Sequence, residues 1–191
     1  MAVYTLFGQP PSPASGVGDV LDYTFGVQFS VSQVATLTGI WFYSPGSASD
    51  LPATIALYAV SGASLVHSET PSWSGAAGSG WVRAPFSSPP SLTASTSYKG
   101  TVLHTGSGNW YAATAHYWDT TGPGAGGISN GPLSAPNNAG GDGGQDTFNI
   151  GASLTYPPSS FNATNYWVDV EVTATVAVWV PPLVSQRSGL Y

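Results

Sequence analysis

The sequence predicts an all-β protein, an antiparallel β-sandwich of the jelly-roll or Ig-like kind with about ten strands. Two long segments alternate strictly between apolar and polar residues, which is the period of a strand with one buried face. Clusters of serine, glycine and proline separate these segments from shorter β-rich runs, and no ten-residue segment has a persuasive helical period. Many short strands with turn signals between them are typical of sandwiches and jelly rolls.

The two long alternating segments are residues 21–31 and 168–178. In each of them, six apolar residues occupy alternate positions. We therefore predict two half-buried antiparallel strands whose polar faces meet solvent. The shorter predicted strands cover residues 3–7, 37–43, 54–60, 64–68, 81–86, 98–105, 110–114 and 147–150. The predicted sandwich core includes Phe25, Val27, Phe29, Ile40, Phe42, Val168 and Val170.

The chain is predicted to form a single domain over residues 1–180, followed by an extended, non-globular tail at 181–191. Residues 122–144 hold nine glycines and lack a strand pattern, so we predict a long loop that is functional or ordered by a partner. Two prolines, at 181 and 182, end the last strand because proline cannot donate to a sheet ladder. We expect an assembly to hold the tail through Leu183, Val184, Arg187, Leu190 and Tyr191.

Composition excludes several classes of protein. Charged residues make up only 6% of the chain, and three Lys and Arg residues cannot neutralise a phosphate backbone, which argues against a nucleic-acid partner. The absence of cysteine excludes disulfides, and no apolar run approaches the roughly 18 residues of a membrane span. Serine and threonine replace the usual surface charges, as in extracellular proteins, yet the N-terminus does not resemble a secretory signal. We expect a virion surface, reached from a host cytoplasm, with an extracellular location as the alternative.

A segment around the last long strand carries a family resemblance. Residues 156–170 read YPPSSFNATNYWVDV, and they resemble the closing signature of an uncharacterised bacterial β-sandwich family, domain of unknown function 4082. The other matching stretches, in the same order, are 6–8, 23–29, 38–43, 79–82 and 131–136, so that the resemblance spans about residues 3–172. It implies a β-sandwich from a family usually found in secreted, multidomain bacterial proteins, beside carbohydrate-active or Ig-like modules.

No catalytic site is predicted. The three histidines lie in separate segments, and neither a nucleophile elbow nor a zinc-protease motif occurs. Asp169 and Glu171 point to the same face of one predicted strand, roughly 7 Å apart, a separation that a glycosidase pair can use. Two acids on the solvated face of an outer sheet are the simpler interpretation. We therefore predict that the protein is not an enzyme.

Residues 137–146 offer carboxylate and amide oxygens on a flexible loop, and these ligands suit Ca²⁺. The segment lacks the ligand spacing of a calcium-binding loop, and its asparagines and glycines also serve turns. We predict no metal site and no cofactor, with a calcium ion in this loop as the open alternative.

Seven tryptophans are many for 191 residues. Aromatic rings beside Asn, Asp and Gly are what a sugar-binding surface needs, since the rings contact the sugar C–H groups and the polar groups bind the hydroxyls. The same ring types also fill cores and protein interfaces, which is the competing interpretation. The glycan-binding candidates are Trp73, Trp110, Tyr111, Trp118 and Asp119.

These observations favour a structural protein on the exterior of a phage virion, a capsid decoration or tail-associated β-sandwich with weak glycan adhesion. The expected partners are the major capsid or tail protein, further copies of the chain in a homo-oligomer, and a host surface glycan. The alternative is a carbohydrate-binding or adhesion module of a secreted bacterial surface protein. Neither nucleic acid nor a membrane is an expected partner.

Overall fold

Two antiparallel β-sheets and one short β-ribbon make up the described part of the chain. The computed structural model describes residues 1–9, 16–106, 109–137 and 145–175. Its strands are β1 Ala2–Thr5, β2 Gly16–Asp19, β3 Tyr23–Val31, β4 Ala35–Ser44, β5 Thr54–Ala59, β6 Ser64–Glu69, β7 Gly80–Pro85, β8 Ser91–Leu92, β9 Ser97–His104, β10 Asn109–Ala112, β11 Ile128–Asn130, β12 Leu133–Ala135, β13 Asp146–Ile150 and β14 Val168–Ala174. Within the described ranges, the 3₁₀ turn Ser61–Ala63 is the only helical element, which confirms the predicted all-β class.

The first sheet has the strand order β1-β14-β4-β7, and the short strand β8 also pairs with β4. The second sheet has the order β11-β12-β3-β9-β5-β6, and β13 also pairs with β3. The ribbon consists of β2 and β10. All of these pairings are antiparallel, as the alternating pattern predicted.

The core lies between β4 and β14 of the first sheet and β3 and β9 of the second. A Cβ added to Gly100 on β9 would lie 2.4 Å from Cγ1 of Val170 and 3.1 Å from Cδ1 of Ile40. The two sheets therefore pack face to face, and they approach closely where β9 carries no side chain. The predicted core residues, each at most 1% exposed, are Phe25, Val27, Phe29, Ile40, Phe42, Val168 and Val170.

Both long strands are buried on their two faces, which corrects the prediction that their polar faces meet solvent. On β3, Thr24 and Gln28 are no more than 5% exposed, and Asp169 on β14 is fully buried. A later segment covers the polar face of the second sheet: there the Pro157 carbonyl accepts a 3.0 Å hydrogen bond from Nζ of the buried Lys99. The alternation located both strands correctly, but chain segments from elsewhere cover their polar faces.

All ten predicted strands are present, most with ends that shift by one or two residues, and positions 176–178 of the last one lie outside the described residues. The structure adds four short strands, β2, β8, β11 and β12. β11 and β12 form a hairpin within residues 122–144, and β12 pairs with the end of β3. This part of the predicted loop therefore belongs to the second sheet, which corrects the expectation that it lacks strands. Glycines and prolines around two three-residue strands leave no alternation to detect.

Residues 138–144 of the predicted loop and the whole predicted tail, 181–191, lie outside the described residues. The predicted assembly contacts therefore remain predictions. They concern Leu183, Val184, Arg187, Leu190 and Tyr191. In the part of the chain that the structure describes, no helix is long and apolar enough to cross a membrane.

Candidate functional site

An aromatic groove opens where the β2–β10 ribbon lies against β3 and β13. It consists of two adjoining cavities of about 270 and about 260 Å³, and Tyr111, Phe161 and Tyr166 line both of them. Two exposed side chains stand at its rim, Phe161 at 61% and Ile150 at 54% exposure. A concave, mainly apolar surface with a few polar groups is the usual form of a ligand site.

Six aromatic rings line the first cavity, and we call the five that lie behind the rim residue Phe161 the aromatic box: Tyr23, Phe25, Tyr111, Phe148 and Tyr166. Tyr23 and Phe25 are two residues apart on β3, so that they point to the same face. Phe148 lies opposite Phe25 in the register of β13 with β3. The ribbon brings Tyr111 over these rings, with its centroid 4.6 Å from that of Phe25. Strand pairing thus assembles the box from four distant segments.

The rings of the box stand in two orientations. Tyr23 and Tyr166 are nearly parallel to Phe25, with interplanar angles of 17° and 26° and centroid distances of 5.1 and 4.8 Å. Tyr111 and Phe148 are inclined to both tyrosines by 58° to 69°, with centroid distances of 5.6 to 6.2 Å. A ligand in the cavity therefore meets aromatic rings from several directions.

Asp19, at the end of β2, supplies a negative charge beside the box. Its carboxylate accepts hydrogen bonds from the Tyr23 hydroxyl at 2.5 Å and from the backbone N–H groups of Val20 and Leu21 at 2.6 and 3.0 Å. The hydrogen bond from Tyr23 lowers the pKa of Asp19, whereas burial and that same bond raise the pKa of Tyr23. Burial also raises the pKa of Tyr111. At neutral pH the carboxylate is therefore ionised and the phenols are neutral.

Two of the predicted glycan candidates lie on the ribbon, but on opposite faces. Tyr111 faces the groove, whereas the neighbouring Trp110 packs over Gly18, whose added Cβ would lie 2.5 Å from the indole ring. Trp110 lines a separate cavity of about 270 Å³ with Asp19 and Val20. Adjacent residues in a strand point to opposite faces, so these two rings cannot form one continuous platform.

Trp118 is buried, which corrects its assignment to a glycan-binding surface. It is 1% exposed, and its ring centroid lies 4.9 Å from that of Tyr117 and 6.0 Å from that of Phe7. Its backbone N–H donates to the Ala163 carbonyl at 3.0 Å. That bond ties this stretch to the segment before β14 and directs the indole into the interior.

Asp119 and Trp73 are not brought into the groove either. Asp119 pairs with His116, with Oδ2 2.6 Å from Nδ1 on an exposed turn. Trp73 packs against the core, and its indole N–H donates to the Pro52 carbonyl at 2.9 Å. Each side chain has a hydrogen-bond partner away from the groove, and neither lines it.

Asp169 does not lie on a solvated face, which corrects the predicted arrangement of the two acids. The segment after β1 folds over it, and its carboxylate accepts N–H donors from Leu6 at 2.8 Å, Phe7 at 3.0 Å and the Gln9 amide at 2.9 Å. Burial raises the pKa of Asp169 to about 7, against the opposing effect of these donors. Glu171 is also buried, at 8% exposure. Both acids hold chain segments together on a covered face.

The calcium alternative concerned residues 137–146, of which 138–144 lie outside the described residues. Asp146 is 1% exposed and accepts the backbone N–H of Tyr166 at 3.1 Å. Burial raises the pKa of Asp146 well above its usual range. Its carboxyl therefore belongs to the protein interior. Among the described residues, no group of three or more His, Asp or Glu side chains is placed to hold a metal ion.

Sequence reasoning did not single out Phe148, Phe161 or Tyr166 as site residues. Phe161 carried the clearest signal, because it stands between Ser160 and Asn162 in a segment of turn residues, where no strand can bury it. Phe148 and Tyr166 gave no such signal, since Phe148 reaches the groove through the pairing of β13 with β3, and the Tyr166 backbone is held by a hydrogen bond to Asp146.

Comparison with known families gives one match. A family model described as Domain of unknown function (DUF4082) matches residues 9–168. The match includes every residue named above as lining the groove, from Tyr23 to Tyr166. No curated protein matches the chain.

Proposed function

The chain belongs to the DUF4082 family, and we propose that it is a non-catalytic binding domain that holds carbohydrate in its aromatic groove. The observation that carries this proposal is one concave surface lined by aromatic rings, with the exposed Phe161 at its rim and the ionised Asp19 carboxylate beside it, hydrogen-bonded to the Tyr23 hydroxyl. Rings pack against the C–H faces of sugars, while the hydroxyls of the groove tyrosines provide acceptors and donors for sugar hydroxyls.

Adhesion to a glycan-bearing surface is the role that this site supports best. Each cavity of the groove has room for only a short stretch of ligand, so the affinity of one domain is expected to be weak. Weak sites become effective when many copies act together, because each further contact is then intramolecular. This makes the adhesion module, which the sequence offered as the alternative, our leading proposal.

The role on a virion remains a prediction with a separate test. If the chain is a particle component, it should copurify with virions at a fixed stoichiometry. A version that lacks residues 182–191 should then stay folded yet fail to be incorporated. A groove for a host glycan is compatible with that location, so the two hypotheses differ in the attachment of the domain and not in its ligand.

A glycan array, probed with a multivalent display of the domain, tests the proposal. Phe161→Ala should abolish binding without unfolding the domain, because this ring is 61% exposed at the groove rim. Leu65→Ala is the matched control, since Leu65 is 51% exposed on β6 and away from the groove. Loss of binding in Trp110→Ala but not in Phe161→Ala would place the site on the other ribbon face and contradict the proposal. The recovered glycan should be chemically unchanged, as expected for a domain that is not an enzyme.

A further inference from the structure

We infer that the aromatic box binds a quaternary ammonium group of the choline type. The inference deepens the proposed function and rests on it in one respect: it takes the same groove as the binding site and assigns a ligand chemistry to one end of it.

The rings of the box are arranged to receive a cation. A cation is attracted to the face of an aromatic ring within about 6 Å of its centroid, and several rings around one cavity add their contributions. The box surrounds its cavity of about 270 Å³ with five rings. Neighbouring centroids are 4.6 to 6.2 Å apart, and the two inclined rings stand at 58° to 69° to the two tyrosine walls. A compact cation in this cavity meets aromatic rings on several sides.

The charge beside the box is complementary to a cation. Asp19 holds the Tyr23 hydroxyl at 2.5 Å, which places a carboxylate beside the box. The protein as a whole carries a formal net charge of −6, so its field favours cations over anions. The described basic side chains are engaged elsewhere, Lys99 with the Pro157 carbonyl and Arg83 with Glu171. The box therefore combines a negative partner with neutral walls.

The surface of the box favours a quaternary over a primary ammonium. A primary ammonium carries three N–H donors, and each needs an acceptor when it leaves water. Ring carbons make up most of the box surface, and the Tyr23 hydroxyl already donates to Asp19. A quaternary ammonium has no N–H donors, and its methyl groups pack against ring faces without loss of hydrogen bonds. The chemistry of the box thus fits the methylated cation.

Titration of the full chain with choline and with tetramethylammonium tests the inference, with NMR shifts of the aromatic protons as the signal. The control ligand is 3,3-dimethylbutan-1-ol. This alcohol has the shape of choline, but a carbon atom replaces the charged nitrogen. We expect choline to bind in the millimolar range and the alcohol to bind about tenfold more weakly. Equal binding of the two, or no shift with either cation, would overturn the inference.

Three variants locate the site. Phe148→Leu removes one wall of the box and should weaken choline binding about tenfold, while Asp19→Asn should weaken choline but not the alcohol. Tyr23→Phe keeps the ring and removes only the hydroxyl, so this variant should still bind choline. If Phe148→Leu is poorly folded, Asp19→Asn provides the test. Unchanged choline affinity in a folded Phe148→Leu or in Asp19→Asn would overturn the inference. Leu65→Ala, on the exposed edge of β6, should leave binding unchanged.

Two further arms identify the source of the ammonium group and separate this inference from the proposed function. Sedimentation with phosphatidylcholine vesicles, but not with phosphatidylglycerol vesicles, would assign a lipid headgroup. Binding of free choline without vesicle binding would assign a soluble or polymer-linked choline. Choline binding with an empty glycan array would reject the carbohydrate proposal and retain the box. Glycan binding without any response to choline would reject the inference about the box and retain the carbohydrate proposal.

Discussion

Arg83 on β7 reaches across β4 to bind Glu171 on β14. The guanidinium donates from Nε to Oε2 at 2.9 Å and from Nη2 to Oε1 at 2.5 Å. Gly39 lies beneath this pair on β4, and a Cβ there would lie 2.9 Å from the Ala84 carbonyl oxygen and 3.3 Å from Cζ of Arg83. Glycine at this position leaves room for the guanidinium, so that one ion pair joins three strands on the outer face of the first sheet.

We expect Glu171→Gln to lower the free energy of unfolding by about 2 kcal/mol, between the values for exposed and fully buried pairs. The amide loses the charge and turns an N–H₂ group toward donors. Urea denaturation measures the change. Asp119→Asn is the control, because the Asp119–His116 pair is exposed and should cost at most about 0.5 kcal/mol. Similar losses in the two variants would mean that the Arg83–Glu171 pair contributes no more than a surface contact.

Asp169→Asn should release the segment after β1. The carboxylate accepts N–H groups from Leu6, Phe7 and Gln9 on its two oxygens, whereas an amide offers one oxygen and a donor. We expect a loss of about 3 kcal/mol in unfolding free energy, because buried donors lose their partner. Hydrogen exchange should accelerate at the amides of Leu6 and Phe7 while β9 stays protected. Uniform acceleration throughout the sandwich would contradict this local role.

Stability should pass through a maximum at about pH 4, within the ordinary pKa range of carboxyl groups. Burial raises the pKa of Asp169 to about 7 and also raises that of Asp146. Above the ordinary pKa of aspartate, the folded state therefore binds more protons than the unfolded state. Stability falls for this reason as the pH rises toward 7. The pKa of Glu171 is lowered, since the hydrogen bonds of Arg83 and Thr38 outweigh the effect of burial. Its contribution is lost as the pH falls below its ordinary range. Denaturation curves across this range measure both limbs, and a stability that rises steadily to alkaline pH would contradict the assignment of Asp169.

The strands could be predicted from the sequence because their signal is local. The alternation over 23–31 identifies β3 and its inward face without knowledge of any partner. The covering of the outer faces could not be predicted in this way. Asp169 was placed correctly on the outward face of β14, but Leu6 contacts it from 163 positions away in the chain. No local pattern records which distant segment folds over a polar face.

The candidate site shows the same division. Tyr111 was predicted as a glycan-binding candidate because it is an aromatic residue beside Trp110, and it does line the groove. The other walls depend on the register of β13 with β3, which sets Phe148 opposite Phe25. Trp118 was misassigned for the converse reason, since its ring packs against Phe7, which lies far away in the sequence. Register and long-range packing decide which rings meet.

Phe29→Ala should destabilise the protein by about 3–5 kcal/mol, because the ring is fully buried in the core and its removal leaves a cavity. The control makes the same chemical change at Phe161, which is 61% exposed. Phe161→Ala should change the unfolding free energy by no more than about 0.5 kcal/mol. Thermal and urea denaturation measure both variants. A loss below about 1 kcal/mol for Phe29→Ala would mean that β3 does not present this face to the core.

Gly100→Ala tests the packing of the two sheets directly. Its Cβ would lie 2.4 Å from Cγ1 of Val170 and 3.1 Å from Cδ1 of Ile40, both on the opposite sheet. These side chains are fully buried and have little room to move, so we expect a loss of about 2 kcal/mol in unfolding free energy. Gly46→Ala is the matched control, because a Cβ there meets no atom within 4 Å. That variant should be neutral or slightly more stable, since alanine restricts the unfolded chain. Equal stability of the two variants would mean that the two sheets do not approach each other this closely at β9.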